Sequence, residues 1–233
     1  MRQVRSGPER HDARGPSCHL GTARSHGPKN HSQEKRRDMA ETNRLNGKDL
    51  INVGVYTAIT MIIMFAVGSL NAFPPVYPAL MVIWPLVCAI PMMLYYTKIK
   101  KFGMVTLTGV ITGAFFFLMG YTWVALVVMG VAGLAADLVL RLGGYQRFVA
   151  HAFSYAVYCL GMLAAPLLLW FAGADYWNQI EKSMGAEYVS AVHQFMPFWM
   201  LYAAVPVLFL SGLAGALLGR KMLQKHFVRA GIA

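Results

Sequence analysis

Between residues 50 and 219 the sequence passes through long apolar runs separated by short gaps, at approximately 50–70, 77–97, 103–119, 122–140, 148–172 and 198–219. Each is close to the ~20 residues an α-helix needs to cross a hydrocarbon core, the third being the shortest. Composition points the same way. Of the 233 residues 57% are hydrophobic and 13% charged, where a soluble domain averages about 25% charged. The fold class expected is an all-α integral membrane protein with six transmembrane helices.

The gaps set the orientation. Lys98, Lys100 and Lys101 follow the second run, and Arg141 and Arg147 follow the fourth. Arg220, Lys221, Lys225 and Arg229 follow the sixth, and Lys48 precedes the first. The alternate gaps read NAFPPV, MGYT, and a longer segment with Asp175, Glu181, Glu187 and the single Lys182. Lysine and arginine concentrate in cytoplasmic loops, so both termini are expected in the cytoplasm. The formal charge of +11 is then topological, and no nucleic-acid partner is expected. The partner surface is the lipid bilayer.

Residues 1–38 are rich in Arg, Gly, Pro, Ser and His, with neither apolar periodicity nor the apolar core of a signal peptide. They read as a disordered basic extension, with Met39 as the expected initiator. Residues 39–49 form a cytoplasmic lead, 50–220 the membrane domain and 221–233 a basic cytoplasmic tail. His11, His19, His26 and His31 are too irregularly spaced to suggest metal binding.

Prolines are dense around the second run: Pro74, Pro75 and Pro78 at its start, Pro85 and Pro91 inside it. An interior proline removes one helix hydrogen bond. Inside a bilayer that is tolerated only where protein or a water-filled cavity satisfies the freed groups. The first three are expected to hold the first external loop in an extended, non-helical shape over a cavity, and the inner two to kink the helix. A tight turn with ordinary kinks is the alternative.

Aromatic residues gather on the external side. Phe73 and Tyr77 follow the first run, Trp84 lies about two turns deeper, and Tyr121 and Trp123 flank the MGYT turn. In the segment 175–202, Ile180, Met184, Tyr188, Val192 and Phe195 recur every three or four residues, an amphipathic helix between the fifth and sixth spans. Such a helix would lie on the outer surface as a lid. An interfacial belt explains Tyr121 and Trp123 but not so long a connector.

Asp137 is the one carboxylate well inside a run, with Arg141 four residues on. That spacing suits a same-face ion pair; a proton-relay or substrate role is the alternative. Gly54 and Ala58 on the first run, and Gly130, Gly133 and Ala136 on the fourth, allow close helix approach, within the chain or to a partner. Cys88 and Cys159 lie in apolar runs and read as buried small hydrophobes. There is no Gly-x-Ser-x-Gly, His-Glu-x-x-His, paired intramembrane aspartate or P-loop. No catalytic residue, metal site or cofactor is therefore expected, and ATP hydrolysis would have to come from other subunits. The chain is not expected to be an enzyme.

The stretches KDLINVGVYTAITMIIMF, PPVYPALMVIWPLVCAIPMMLYYTKIKKFG and GYTWVALVVMGVAGLAADL resemble the substrate-binding S components of energy-coupling factor transporters, of the MptD (Trep_Strep) type. The resemblance runs from about Lys48 to Arg220. It implies a six-helix subunit of the bacterial cytoplasmic membrane that captures a small micronutrient outside the cell. Its partners would be a membrane T component and two ABC ATPases. The family's Ala-x-x-x-Ala seam, which packs on the T component, falls here on Gly54 and Ala58. The implied external pocket would draw on Asn71, Tyr77, Trp123, Trp177, His193, Trp199 and Tyr202. So many aromatic groups suit a planar ring compound, a porphyrin with His193 as axial ligand being one case. A membrane-embedded enzyme or assembly factor independent of such a transporter is the competing class.

Overall fold

The computed structural model describes residues 45–227, so the expectations for residues 1–38 and for the end of the basic tail lie outside the described residues. Among those described the chain is all helix. The apolar runs become α1 (Gly47–Gly68), α2 (Tyr77–Lys98), α3 (Met104–Leu118), α4 (Trp123–Gly143), α5 (Phe148–Cys159) and α6 (Ala164–Phe171). A 3₁₀ turn, Leu160–Leu163, joins α5 to α6. Two short helices, α7 (Ala174–Met184) and α8 (Ala186–Phe195), precede the long α9 (Met200–Met222). Five segments are long and apolar enough to cross a membrane, while α3 has only 15 residues. At 1.5 Å per residue it spans roughly 22 Å, short of a ~30 Å hydrocarbon core.

The helices close into a ring. α1 packs on α2 and α3, α3 on α4, α4 on α5, α5 on α9, and α9 back on α2. Glycines set the two tightest seams. A Cβ on Gly109 would come within 2.5 Å of the Met129 carbonyl oxygen, so α3 and α4 touch backbone to backbone. A Cβ on Gly215 would lie 2.6 Å from the Pro85 carbonyl oxygen, which does the same for α9 and α2. Of the fourth-run seam, Gly133 and Ala136 are buried within the chain, Gly133 against α3. Gly54 and Ala58 instead face outward, and a Cβ on Gly54 would meet nothing within 4 Å.

The break at Pro85 is repaired by neighbours. Pro85 cannot donate to the Met81 carbonyl, and Ser211 Oγ of α9 donates to it instead, at 3.3 Å. Tyr155 OH of α5 donates to the Pro85 carbonyl itself at 2.6 Å. This is how a broken helix survives in lipid. The outer prolines behave differently from expectation. Rather than an extended loop, residues 69–76 form two 3₁₀ turns, Ser69–Ala72 and Pro74–Val76, with Pro78 in the first turn of α2. Proline's fixed φ suits a helix start, which outweighs its bias against helix interiors here.

One end of the ring collects the basic residues. Lys101 Nζ pairs with Asp49 Oδ2 at 2.9 Å, joining the α2–α3 turn to the start of α1. The Arg141 guanidinium stands over the Phe102 ring and that of Arg220 over the Phe148 ring. The core of this half contains Tyr95, Tyr96, Tyr155 and Tyr158, each buried. Tyr96 OH and Ser154 Oγ are 3.0 Å apart, Tyr158 OH and Thr112 Oγ1 3.3 Å, and Tyr95 OH donates to the Met104 carbonyl at 2.9 Å. The opposite half packs Met64, Met81, Met162 and Met196 around Leu80, Trp84, Cys88 and Leu208.

Candidate functional site

Asp137 was the polar residue that the sequence put forward, and the structure gives it a structural partner. It is fully buried, and its Oδ2 accepts from Gly103 N–H (3.1 Å), Thr106 N–H (2.7 Å) and Thr106 Oγ1 (2.6 Å). It therefore caps the N-terminus of α3, where unpaired N–H groups and the helix dipole favour a carboxylate. The expected ion pair with Arg141 is not formed. Arg141 lies exposed, on Phe102, because Asp137 points across the tight α3–α4 seam and not along its own helix.

The aromatic end holds a cavity. An internal space of about 40 Å³ is walled by Asn71, Tyr77, Trp84, Tyr121, Tyr176 and the methionines of the adjacent core. Two of these walls carry a buried polar atom with no hydrogen-bond partner among the described residues: Asn71 Oδ1, an acceptor, and Trp84 Nε1, a donor. A buried polar group left unpaired costs about 1–3 kcal/mol, so such atoms mark places where a partner is supplied from elsewhere. No charged side chain lines the space among the described residues. Tyr121 and Tyr176 are pushed up from the usual phenol range by burial, Tyr176 to about 12, so both stay protonated at neutral pH.

A lid covers this end. The amphipathic segment is two helices and not one, because Gly185 at φ 91° breaks it between Met184 and Ala186. α8 packs on the Pro74–Val76 turn. Tyr188 OH donates to the Asn71 carbonyl at 2.9 Å and lies 3.1 Å from Tyr77 OH, which fixes the lid to the loop. Trp170 Nε1 donates to the Met196 carbonyl at 2.9 Å and holds the end of the lid to α6.

Of the residues proposed for the pocket, Asn71 and Tyr77 line the cavity. Trp177 and His193 pack against each other, ring centroids 4.3 Å apart and planes tilted by 53°, and tie α7 to α8 outside the cavity wall. Trp123, Trp199 and Tyr202 are 67%, 63% and 72% exposed, which places them on the outer surface in the manner of an interfacial belt. Trp84 and Tyr121, read from sequence as a deep aromatic and a belt residue, line the cavity, and Tyr176 joins them. Their signal was available: an indole two turns inside a bilayer must find a partner for its one N–H.

A ring of apolar helices with buried hydroxyl networks and no strand among the described residues defines a multi-pass bacterial membrane protein. The chain belongs to the Trep_Strep family, described as a hypothetical bacterial integral membrane protein, which matches residues 47–229. No curated protein and no solved structure matches it.

Proposed function

We propose that this protein captures an uncharged small solute in the cavity at its aromatic end and serves as the S component of an energy-coupling factor importer. The observation that carries the capture is the pair Asn71 Oδ1 and Trp84 Nε1, one acceptor and one donor left unpaired, among the described residues, on two residues that line the same cavity. Neutral lining disfavours a charged solute, whose burial without a counter-charge is costly. The enclosed space, about 40 Å³, is smaller than the ~150 Å³ that admits benzene, so a porphyrin does not fit inside it. His193, exposed on the lid, is not placed to ligate there.

In this reading all six apolar helices span the bilayer and the basic end is cytoplasmic. The outward seam at Gly54 and Ala58 faces a membrane T component, and two ATPases supply the energy. Purification from native membranes tests the assembly. The wild-type chain is expected to bring down a membrane subunit and two ATPases, and Gly54→Leu to lose them while remaining folded. Isolation of the wild-type chain without any ATPase would count against an importer and favour a self-standing membrane enzyme or assembly factor.

A further inference from the structure

We infer that the captured solute is an uncharged amphiphile, with a small head that both donates and accepts a hydrogen bond and an apolar tail, and that it enters sideways from the bilayer between α1 and α3. This rests on the capture reading above and narrows it to a substrate class.

The enclosed cavity does not stand alone. Beside it lies a groove of about 210 Å³, between the aromatic-end halves of α1 and α3. Asn71, Trp84 and Tyr121 line both spaces, so the residues bearing the two unpaired atoms sit where the spaces join. The rest of the groove is almost wholly apolar, with Met64, Phe65, Phe115 and Met119 prominent. Phe65 and Met119 are 66% and 53% exposed on the outer side of the ring, so the mouth opens toward lipid. Met64 lies one turn before the end of α1, placing the mouth within the apolar depth of the helix and not beyond it.

Each part of the proposed solute answers one part of this geometry. Asn71 Oδ1 requires a donor and Trp84 Nε1 an acceptor, which one hydroxyl or primary amide supplies. The small inner space admits that head and little more, while the groove offers apolar contact to a tail. Neither space has a charged wall among the described residues, which argues against a carboxylate or phosphate head. From the aromatic end the approach is covered by α8, held by Tyr188 on Asn71 and Tyr77. A second surface groove, along α7, shares only Tyr121 and Tyr176 with the cavity and neither residue with an unpaired atom.

The test uses the full chain in phosphatidylcholine vesicles and a medium-chain primary amide with a diazirine at the end of its tail. On photolysis, crosslinks are expected at Phe65 or Phe115, which line this groove and not the α7 groove. Trp84→Phe, which keeps a ring but removes the N–H, should lower specific labelling about tenfold. Gly68→Leu should do the same by filling the groove, since a Cβ there already comes to 3.7 Å from the Trp84 ring. Ser183→Leu, on the α7 groove, should leave labelling unchanged. Crosslinks on α7, or labelling indifferent to Trp84→Phe, would overturn the proposal, and this second result is decisive even where Gly68→Leu does not fold. Native mass spectrometry separates the two levels. A retained molecule that Trp84→Phe loses but the amide cannot displace leaves capture intact and removes the lateral amphiphile. Absence of both a retained molecule and specific labelling removes both.

Discussion

At the basic end, most polar groups that enter the helix ring meet partners from other helices: Asp137 Oδ2 gathers three donors from the start of α3, though its Oδ1 has none among the described residues, and the tyrosine hydroxyls meet Ser154, Thr112 and the backbone. At the aromatic end, among the described residues, Trp84 carries its single polar hydrogen into the core with no partner, and Asn71 does the same with its side-chain carbonyl oxygen. The cores differ to match. Both hold four buried methionines, but the four buried tyrosines, each a rigid ring with a directional hydroxyl, lie only in the first. A hydrogen-bonded tyrosine network fixes one geometry, whereas methionines without such a network are free to repack. In the proposed reading the first half supplies stability and the second holds the solute.

The comparison breaks most visibly at the seams. Gly215→Leu would drive a side chain into the Pro85 carbonyl and is expected to destabilise the protein by about 3 kcal/mol or more, read as loss of folded protein in detergent. Gly54→Leu, on open surface, should change thermal stability by no more than about 0.5 kcal/mol. Equal damage from both would mean that α1 packs differently.

Asp137→Ala comes next. It strips the cap from α3 and leaves the Gly103 and Thr106 N–H groups buried without an acceptor, with an expected loss of about 2 kcal/mol. Ligand affinity in the folded fraction should not change. A loss of uptake without any loss of stability would instead assign Asp137 a proton or substrate role.

The apolar helices were readable because lipid demands long apolar runs, and their bounds lie within a few residues of those runs, five of them long enough to cross a membrane among the described residues. The tyrosine network was not. Tyr95, Tyr96, Tyr155 and Tyr158 look like any aromatic within an apolar run until the ring closure brings Ser154 and Thr112 to them. Arg141 failed as a partner for Asp137 because helical spacing reports faces and not what lies across a seam. Of the seven pocket residues read from the sequence two line the cavity, Asn71 and Tyr77, both in the proline-rich stretch that drew attention. Trp199 and Tyr202 drew the same attention by composition, yet composition cannot separate a ring facing lipid from one facing inward.

Smaller effects follow from that division. Trp199→Ala and Tyr202→Phe, both on exposed rings, should leave solute binding unchanged within twofold or so, since hot spots are buried anchors. Alkali should act on the aromatic end. Tyr176 has its hydroxyl raised from 10.0 to about 12 by burial, so the neutral form is favoured in the fold. Stability from this group is then full below pH 10.0 and is lost as pH rises toward about 12. Tyr176→Phe should flatten that alkaline decline in a pH series of melting curves.

The most direct test compares Trp84→Phe with the wild type in two readings on one sample, thermal stability and the small molecule retained in native mass spectrometry. The indole N–H has no partner among the described residues, so its removal should shift stability by less than about 1 kcal/mol. The retained molecule should fall about tenfold. A large loss of stability with retention unchanged would contradict the account and make Trp84 an ordinary part of the core.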